Sequence, residues 1–267
     1  RLHPLDLAEC GMMFAKMSAA ASLERLEEAG GFPEAFLNPE DSERLRNDRF
    51  DLVLREDLRD LSKTNSLRQM ELLLELLRER VGGLISYENL RQDLAVSAPT
   101  VKAWIDLLER LYLLFVVRPY SQKLSRSIKK EPKIYFYDCA AGLETADRSN
   151  GMRFENLVAC SLLKACHLAR DRDGTKFELH FIRDRDDREV DFLVSRNLTP
   201  HLLVECKLTD DEVPSSLRYY AAKLKPSFAV QLSRRPIKAR EEKGIAVLSA
   251  VDFLSDVNSY FLKRRLP

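Results

Sequence analysis

Charged residues interrupt two apolar, strand-like runs in the C-terminal half of the chain, and this pattern constrains the fold more than any other. Asp191 lies inside the run 189–194, and the run 202–207 ends with Glu205 and Lys207, separated by a single residue. A charge inside an apolar strand is costly unless a partner or a ligand uses it. Since positions i and i+2 share one face of a strand, Glu205 and Lys207 are expected to project together.

These charged residues define a candidate site. Glu155 lies in a helix-like run, residues 153–159, and adds a third carboxylate to those of Asp191 and Glu205. Two carboxylates and an amine on one small patch form a site for a hard cation with a lysine beside it. Such a site suits the metal-assisted hydrolysis of a phosphodiester. We therefore expect Mg²⁺ or Mn²⁺ as the cofactor.

The chain divides into three regions by its sequence pattern. Residues 1–80 are predicted to form a helical segment, interrupted by the glycines at 30–31. Residues 81–140 carry two short helices and then two strands, which is typical of a winged helix-turn-helix. Residues 150–263 follow as a mixed domain of helix, strands, helix, further strands and one closing helix. The expected fold class is α/β, mixed α+β overall, and the small, polar residues 138–150 mark a boundary.

The winged unit is expected to bind DNA through its second helix and its wing. Ser97 caps that helix and Pro99 lies in its first turn. The wing, residues 119–132, holds an excess of cations that would contact phosphates, so affinity would fall steeply with salt. Lys133, at its end, is included among these cations. The predicted DNA-binding residues are Lys102, Lys123, Arg126, Lys129 and Lys130. A scaffold for protein contacts is the open alternative for this unit.

Composition limits the compartment and the partners. The 267 residues are 45% hydrophobic and 32% charged, as in ordinary globular domains. No apolar run approaches the length of about 18 residues that a membrane span needs. The five cysteines show no paired spacing, which is typical of reduced thiols in a cytoplasmic protein. The net charge is +1, so any affinity for nucleic acid must come from local charge.

The order of the C-terminal elements resembles a known nuclease core. A glutamate on a helix, an aspartate on one strand and Glu-x-Lys on the next strand resemble the PD-(D/E)XK core of restriction endonucleases and Holliday junction resolvases. The resemblance covers residues 150–262 and implies a three-layer α/β/α domain. It implies that Lys207 orients or activates the attacking water, and that Glu155 completes the acidic cluster or holds a second ion. The implied metal ligands are Asp191, Glu205 and the backbone carbonyl of Cys206.

A second resemblance covers nearly the whole chain. Residues 4–5, 30–34 and 55–58 precede the winged unit, and residues 133–138 and 189–194 match particularly well. Together they resemble the C-terminal portion of a family of bacterial and archaeal AAA-type ATPases. In that family a P-loop domain precedes a helical segment, a winged helix and a domain of unknown function with a nuclease-like fold. The sequence contains no Walker motif, so we expect a fragment without ATPase activity, whose ATP belongs to a missing N-terminal domain.

Three interpretations of the acidic residues stay open. In the first, the chain binds DNA and cleaves a phosphodiester with Mg²⁺ or Mn²⁺. In the second, a nuclease-like fold has lost its chemistry and only binds DNA or a protein, as a targeting module for an ATPase. In the third, Glu205 and Lys207 form an ion pair on an exposed sheet face and Asp191 is a hairpin charge. DNA is the expected partner, a homo-oligomer is left open, and a membrane is excluded.

Overall fold

The computed structural model describes residues 1–56, 64–121, 130–142, 149–209 and 212–262. Its first part is helical, as predicted, and a short 3-10 turn, Pro39–Asp41, separates the third helix from the fourth. The helices of this segment are α1 Leu7–Met13, α2 Ala19–Ala29, α3 Pro33–Leu37, α4 Ser42–Glu56 and α5 Thr64–Arg78. Among the described residues, no helix combines the length and the apolar character that crossing a membrane requires.

Local sequence sets where two of these helices begin and end. Asp6 and Glu9 form a capping box at the start of α1, in which each side chain accepts a hydrogen bond from the backbone N–H of the other. α2 ends at Gly30, whose φ of +89° is a conformation that glycine adopts without strain. An added Cβ at Gly30 would lie 2.1 Å from Oδ1 of Asp138. The predicted break at this glycine is therefore present and has a steric reason.

The helix-turn-helix unit consists of α6, Tyr87–Leu94, and α7, Ala98–Arg110. Ala95, between them, has left-handed backbone angles (φ 53°, ψ 42°) that turn the chain sharply. Ser97 caps α7 as predicted, because its side chain accepts a hydrogen bond from the N–H of Thr100. Both helices of the predicted unit are therefore present.

An eight-stranded sheet in the described part of the chain joins this unit to the C-terminal region. Its strands are β1 Leu114–Pro119, β2 Lys133–Phe136, β3 Phe177–Arg183, β4 Glu189–Arg196, β5 Thr199–Lys207, β6 Phe228–Ser233, β7 Arg240–Glu242 and β8 Ile245–Ser249. Their order across the sheet is β2-β1-β3-β4-β5-β6-β8-β7. β1 pairs with β2 antiparallel and with β3 parallel. The two strands of the helix-turn-helix unit thus extend the sheet that carries Asp191 and Glu205.

Helices cover both faces of the sheet. The long helix α8, Ser149–Asp173, lies over one face, and α9, Ser215–Leu224, lies over the other. Consecutive strand residues enter different cores, so that Leu202 and Val204 pack on the side of α8 and Leu203 packs on the side of α9. Strands buried on both faces are typical of α/β proteins, and the predicted fold class is confirmed.

One expectation about local structure needs correction. The closing helix, expected in one piece, is split by a turn into α10, Ala250–Ser255, and α11, Ser259–Leu262. The described part of the boundary segment, residues 138–142, is buried. Asp138 tolerates burial because its Oδ2 lies 3.1 Å from Nε of Arg46 on α4. The segment therefore holds the N-terminal helices against the sheet.

Candidate active site

A β-bulge directs Asp191 into the candidate site. The register between β3 and β4 shifts between His180 and Ile182, so β4 carries one extra residue in this stretch. A bulge takes a side chain out of the regular alternation of a strand. The carboxylate of Asp191 reaches the neighbouring strand β5, where its Oδ2 accepts a hydrogen bond from the backbone N–H of Cys206 at 2.7 Å.

Glu205 and Lys207 project from the same side of β5, as their spacing predicts. Nζ of Lys207 lies 2.8 Å from Oε1 of Glu205, whose side chain is only 7% exposed. Among the described residues, the other carboxylate oxygen of Glu205 has no hydrogen-bond partner, although it is buried. Extending the β4–β5 register by one residue beyond the pair Phe192–Val204 brings Asp191 opposite Glu205. Asp191 and Glu205, the predicted acid pair, therefore lie next to each other on the neighbouring strands β4 and β5.

Glu155 reaches the same place from α8. Its Oε1 accepts hydrogen bonds from the hydroxyl of Tyr135 at 2.6 Å and from Nζ of Lys133 at 3.3 Å. Lys133 also pairs with Oε1 of Glu189 at 2.6 Å. Gly82 lies so close that an added Cβ would be 3.0 Å from Oε1 of Glu155. The backbone before α6, strand β2 and helix α8 therefore all meet at this carboxylate.

We name Glu155, Asp191 and Glu205 the carboxylate cluster. Burial raises the pKa of Asp191 well above its ordinary value, and the other two carboxylates raise it further. Burial also raises the pKa of Glu205, although the hydrogen bond and the charge of Lys207 oppose this shift. Raised carboxylate pKa values indicate that the nearby cations do not fully offset burial and mutual repulsion. The cluster therefore favours an added cation or a proton.

The carboxylate cluster fits a divalent cation that takes few protein ligands. Mg²⁺ is commonly bound by one or two carboxylates, while waters and substrate phosphate complete its shell. Asp191 and Glu205 supply two carboxylates, and the buried oxygen of Glu205 that lacks a hydrogen-bond partner among the described residues is a suitable acceptor. Within the described ranges, no group of three or more His, Cys, Asp or Glu side chains is arranged to hold a metal ion. A cation held there would take at most two carboxylates from Asp191 and Glu205 and the rest of its shell from water or substrate, and Mg²⁺ or Mn²⁺ stays a prediction.

The other residues predicted to belong to a functional site are Cys206 and the DNA-binding cations. Cys206 contacts the cluster through its backbone N–H, and the metal-ligand role expected of its carbonyl stays a prediction. Lys102 is exposed on α7, and Lys130 is exposed shortly before β2, so both are accessible to DNA. The predicted wing residues outside the described part of the chain are Lys123, Arg126 and Lys129. DNA contact by all five cations stays a prediction.

Lys133 was expected to be one of the exposed cations of the wing, and this expectation is wrong. Its side chain is only 4% exposed, because it is enclosed with Glu155 and Glu189. A lysine is rarely buried unless it is paired, and here two carboxylates pair with it. Tyr135 and Glu189 were likewise not singled out from the sequence. One clue was available, since Lys133 and Tyr135 are two residues apart on β2 and so share one face.

Two family models match consecutive parts of this chain. Residues 20–147 match a domain of unknown function, DUF8612, and residues 150–252 match another, DUF4143. No curated protein and no solved structure matches. DUF4143 is a domain found at the C-terminus of AAA-ATPase-like proteins. The part of the chain that carries the carboxylate cluster is therefore similar to a C-terminal domain of AAA-ATPase-like proteins, which confirms that part of the predicted resemblance.

Proposed function

We propose that this chain binds DNA and cleaves a phosphodiester bond at the carboxylate cluster with Mg²⁺ or Mn²⁺. The observation that supports this most directly is the meeting of Asp191, Glu205 and Lys207 in one small, partly buried patch. A divalent cation bound there would stabilise the negative charge that develops on the phosphate oxygens. The side chains of the site carry this function, because neither fold nor family determines it.

Each residue of this patch would have its own task. Asp191 and Glu205 would hold the cation, and the N–H of Cys206 orients the carboxylate of Asp191. Lys207 is 31% exposed at its side chain, so its ammonium can leave Glu205 and contact the attacking water or a phosphate oxygen. Glu155 adds negative charge that favours a cation at the cluster, and Tyr135 fixes the position of its carboxylate.

A cleavage assay tests this proposal. Plasmid and branched DNA are incubated with Mg²⁺ or Mn²⁺ and either the wild type or Lys207→Ala. We expect metal-dependent cutting that falls about 100-fold or more in the variant, the size typical of losing a group that assists proton transfer. Lys238→Ala, which removes an exposed lysine before β7, is the matched control and should cut like the wild type. Equal cutting by Lys207→Ala would contradict the proposal.

One observation favours a second function. Lys133 already pairs with Glu155 and Glu189, so part of the acidic charge is neutralised by the protein itself. The chain would then be a non-catalytic module that presents DNA or a protein target to an AAA-type ATPase. A metal titration separates the two functions, since a catalytic site should bind Mn²⁺ and Asp191→Ala should abolish that binding. No binding at millimolar metal in the presence of DNA would favour the module.

A further inference from the structure

A polar cavity of about 460 Å³ opens at the C-terminal end of β5. This volume lies within the range of roughly 300–1,000 Å³ that is usual for ligand sites. Three arginines and three glutamates contribute to its lining: Arg153, Arg234, Arg235, Glu24, Glu27 and Glu28. The arginine side chains come from α8 and from the chain after β6, whereas all three glutamates come from α2.

The cavity adjoins the carboxylate cluster. Leu208, which also lines the cavity, directly follows Lys207 in the chain. The backbone N–H of Arg234 donates a hydrogen bond to the carbonyl of Lys207 at 2.8 Å. Arg153 lies on α8, the helix that also carries Glu155, although the two side chains leave different faces of it. A group bound in the cavity would therefore be a near neighbour of a group bound at the cluster.

Glu27 already shows how an oxyanion binds in this cavity. Nε of Arg234 lies 3.0 Å from Oε2 of Glu27, and a second guanidinium nitrogen lies 2.7 Å from the same oxygen. Guanidinium groups bind phosphate through the same paired donors. Glu27 is buried, whereas Arg235 is exposed. With three arginines facing three glutamates, the lining is neutral as it stands, so an incoming anion would have to compete with Glu27 for Arg234.

We propose that this cavity binds a backbone phosphate of the DNA strand, next to the phosphate held at the carboxylate cluster. The inference rests on the proposed function, because it takes DNA as the ligand of the adjoining site. Arg235, exposed at the cavity, makes the first contact with the strand. Arg234 then exchanges the carboxylate of Glu27 for the phosphate, and Arg153 supplies a third guanidinium. The site contacts no base edge, so it should contribute equally to the affinity for every DNA sequence.

The test is DNA binding in EDTA, which prevents metal-dependent cleavage. Fluorescence anisotropy of a labelled duplex gives the affinity over a range of salt concentrations. Arg235→Ala should weaken binding and lower the slope of log affinity against log salt by about 1, the value for one lost phosphate contact. Glu27→Gln should strengthen binding, because Arg234 loses a competing charge and the amide keeps the side-chain shape. Arg196→Ala, exposed at the far end of β4, is the matched control and should change neither quantity.

The outcomes separate this inference from the proposed cleavage. If Arg235→Ala and Glu27→Gln bind like the Arg196→Ala control, the cavity inference is wrong, and loss of cutting in Lys207→Ala would still support cleavage. If the wild type cuts no DNA but Arg235→Ala lowers the salt slope, the phosphate site is supported and cleavage is wrong. Failure of the wild type to bind the duplex would overturn both.

Discussion

Lys133 and Glu189 form a largely buried ion pair in which Nζ lies 2.6 Å from Oε1, and this pair ties β2 to β4. The same ammonium lies 3.3 Å from Oε1 of Glu155 on α8. Lys133 immediately follows the segment that the sequence assigns to the wing. The strand that begins there thus supplies positive charge to the carboxylate cluster, so the predicted DNA-binding unit and the proposed catalytic site share a side chain.

Replacing Lys133 with Met should destabilise the protein by about 3–5 kcal/mol, since Glu155 and Glu189 would lose their buried cation. Burial alone lowers the pKa of Lys133, but the surrounding carboxylates raise it above its ordinary value overall. Its stabilising contribution is therefore fully present below the unfolded lysine value of about 10.4 and is lost only as the pH rises toward the higher folded value. Urea unfolding at neutral pH measures the loss.

Lys133→Arg is the control for this prediction, because it keeps the charge and should lose less stability than Lys133→Met. The difference between wild type and Lys133→Met should stay constant between about pH 7 and pH 9, where the lysine is ionised in both states. A loss below about 1 kcal/mol would mean that the pair contributes no more than a surface ion pair.

Strand geometry predicts only the local part of the candidate site, whereas Asp191 and Glu155 were assigned to it by their residue types and by the resemblance to a nuclease core. The contact between Glu205 and Lys207 follows from the alternation of side chains in a strand, which any strand assignment contains. The approach of Asp191 depends on a bulge in β4 opposite β3, and a bulge leaves no apolar pattern to recognise. Lys133 follows a basic loop and therefore looks exposed in the sequence. Its burial depends on α8 and β4, which are distant in the chain.

In the fold too, some elements were predictable from the sequence and others were not. The apolar runs of β3 to β6 predict buried strands because helices cover both faces of the sheet. β7, Arg240–Glu242, was missed, since its three charged residues form the outermost strand and carry no apolar alternation. The turn between α10 and α11 was missed because the apolar residues continue across it at helical spacing. β7 is defined by its hydrogen bonds to the adjacent strand β8, and the break after α10 is a local turn, so apolar periodicity reports neither of them.

Asp191→Asn should stabilise the metal-free protein at neutral pH by about 1–3 kcal/mol, because it removes a poorly compensated buried charge. The amide oxygen can still accept the hydrogen bond from the N–H of Cys206. Since the folded pKa of Asp191 is raised, the wild type should gain stability as the pH falls through that value toward the unfolded value of about 3.9. The variant should lack this gain. Thermal unfolding in EDTA at several pH values measures both effects.

Bound metal should reverse the order of stability of the wild type and Asp191→Asn. Free Mn²⁺ at about 100 times its dissociation constant should stabilise the wild type by about 2.7 kcal/mol, whereas Asp191→Asn should respond little. Asp186→Asn changes an exposed hairpin carboxylate that pairs with Arg188 and is the matched control. It should respond to Mn²⁺ like the wild type. An equal response of Asp191→Asn would show that the ion binds elsewhere.

Combined Lys102→Ala and Lys130→Ala should weaken DNA binding for all sequences and lower the salt slope by about 2, one unit for each phosphate contact. Both lysines are exposed, on α7 and shortly before β2, so their loss should leave the folded state intact. Anisotropy titrations in EDTA at several salt concentrations give the slope, with Lys238→Ala as the control of equal chemistry. An unchanged slope would place the DNA on another face of the protein.

Asp138→Ala should destabilise the protein by about 3–5 kcal/mol, because it leaves Arg46 buried without its counter-charge. Oδ2 of Asp138 lies 3.1 Å from Arg46 and 3.2 Å from Arg49, and the Asp138 side chain is only 3% exposed. Asp41→Ala is the matched control, since Asp41 pairs with Arg44 at the surface and should cost at most about 1 kcal/mol. Urea unfolding distinguishes the two variants by the urea concentration at the transition midpoint, provided that the m-value is unchanged. Equal midpoints would mean that α4 is held to the segment after β2 by apolar packing and not by this charge.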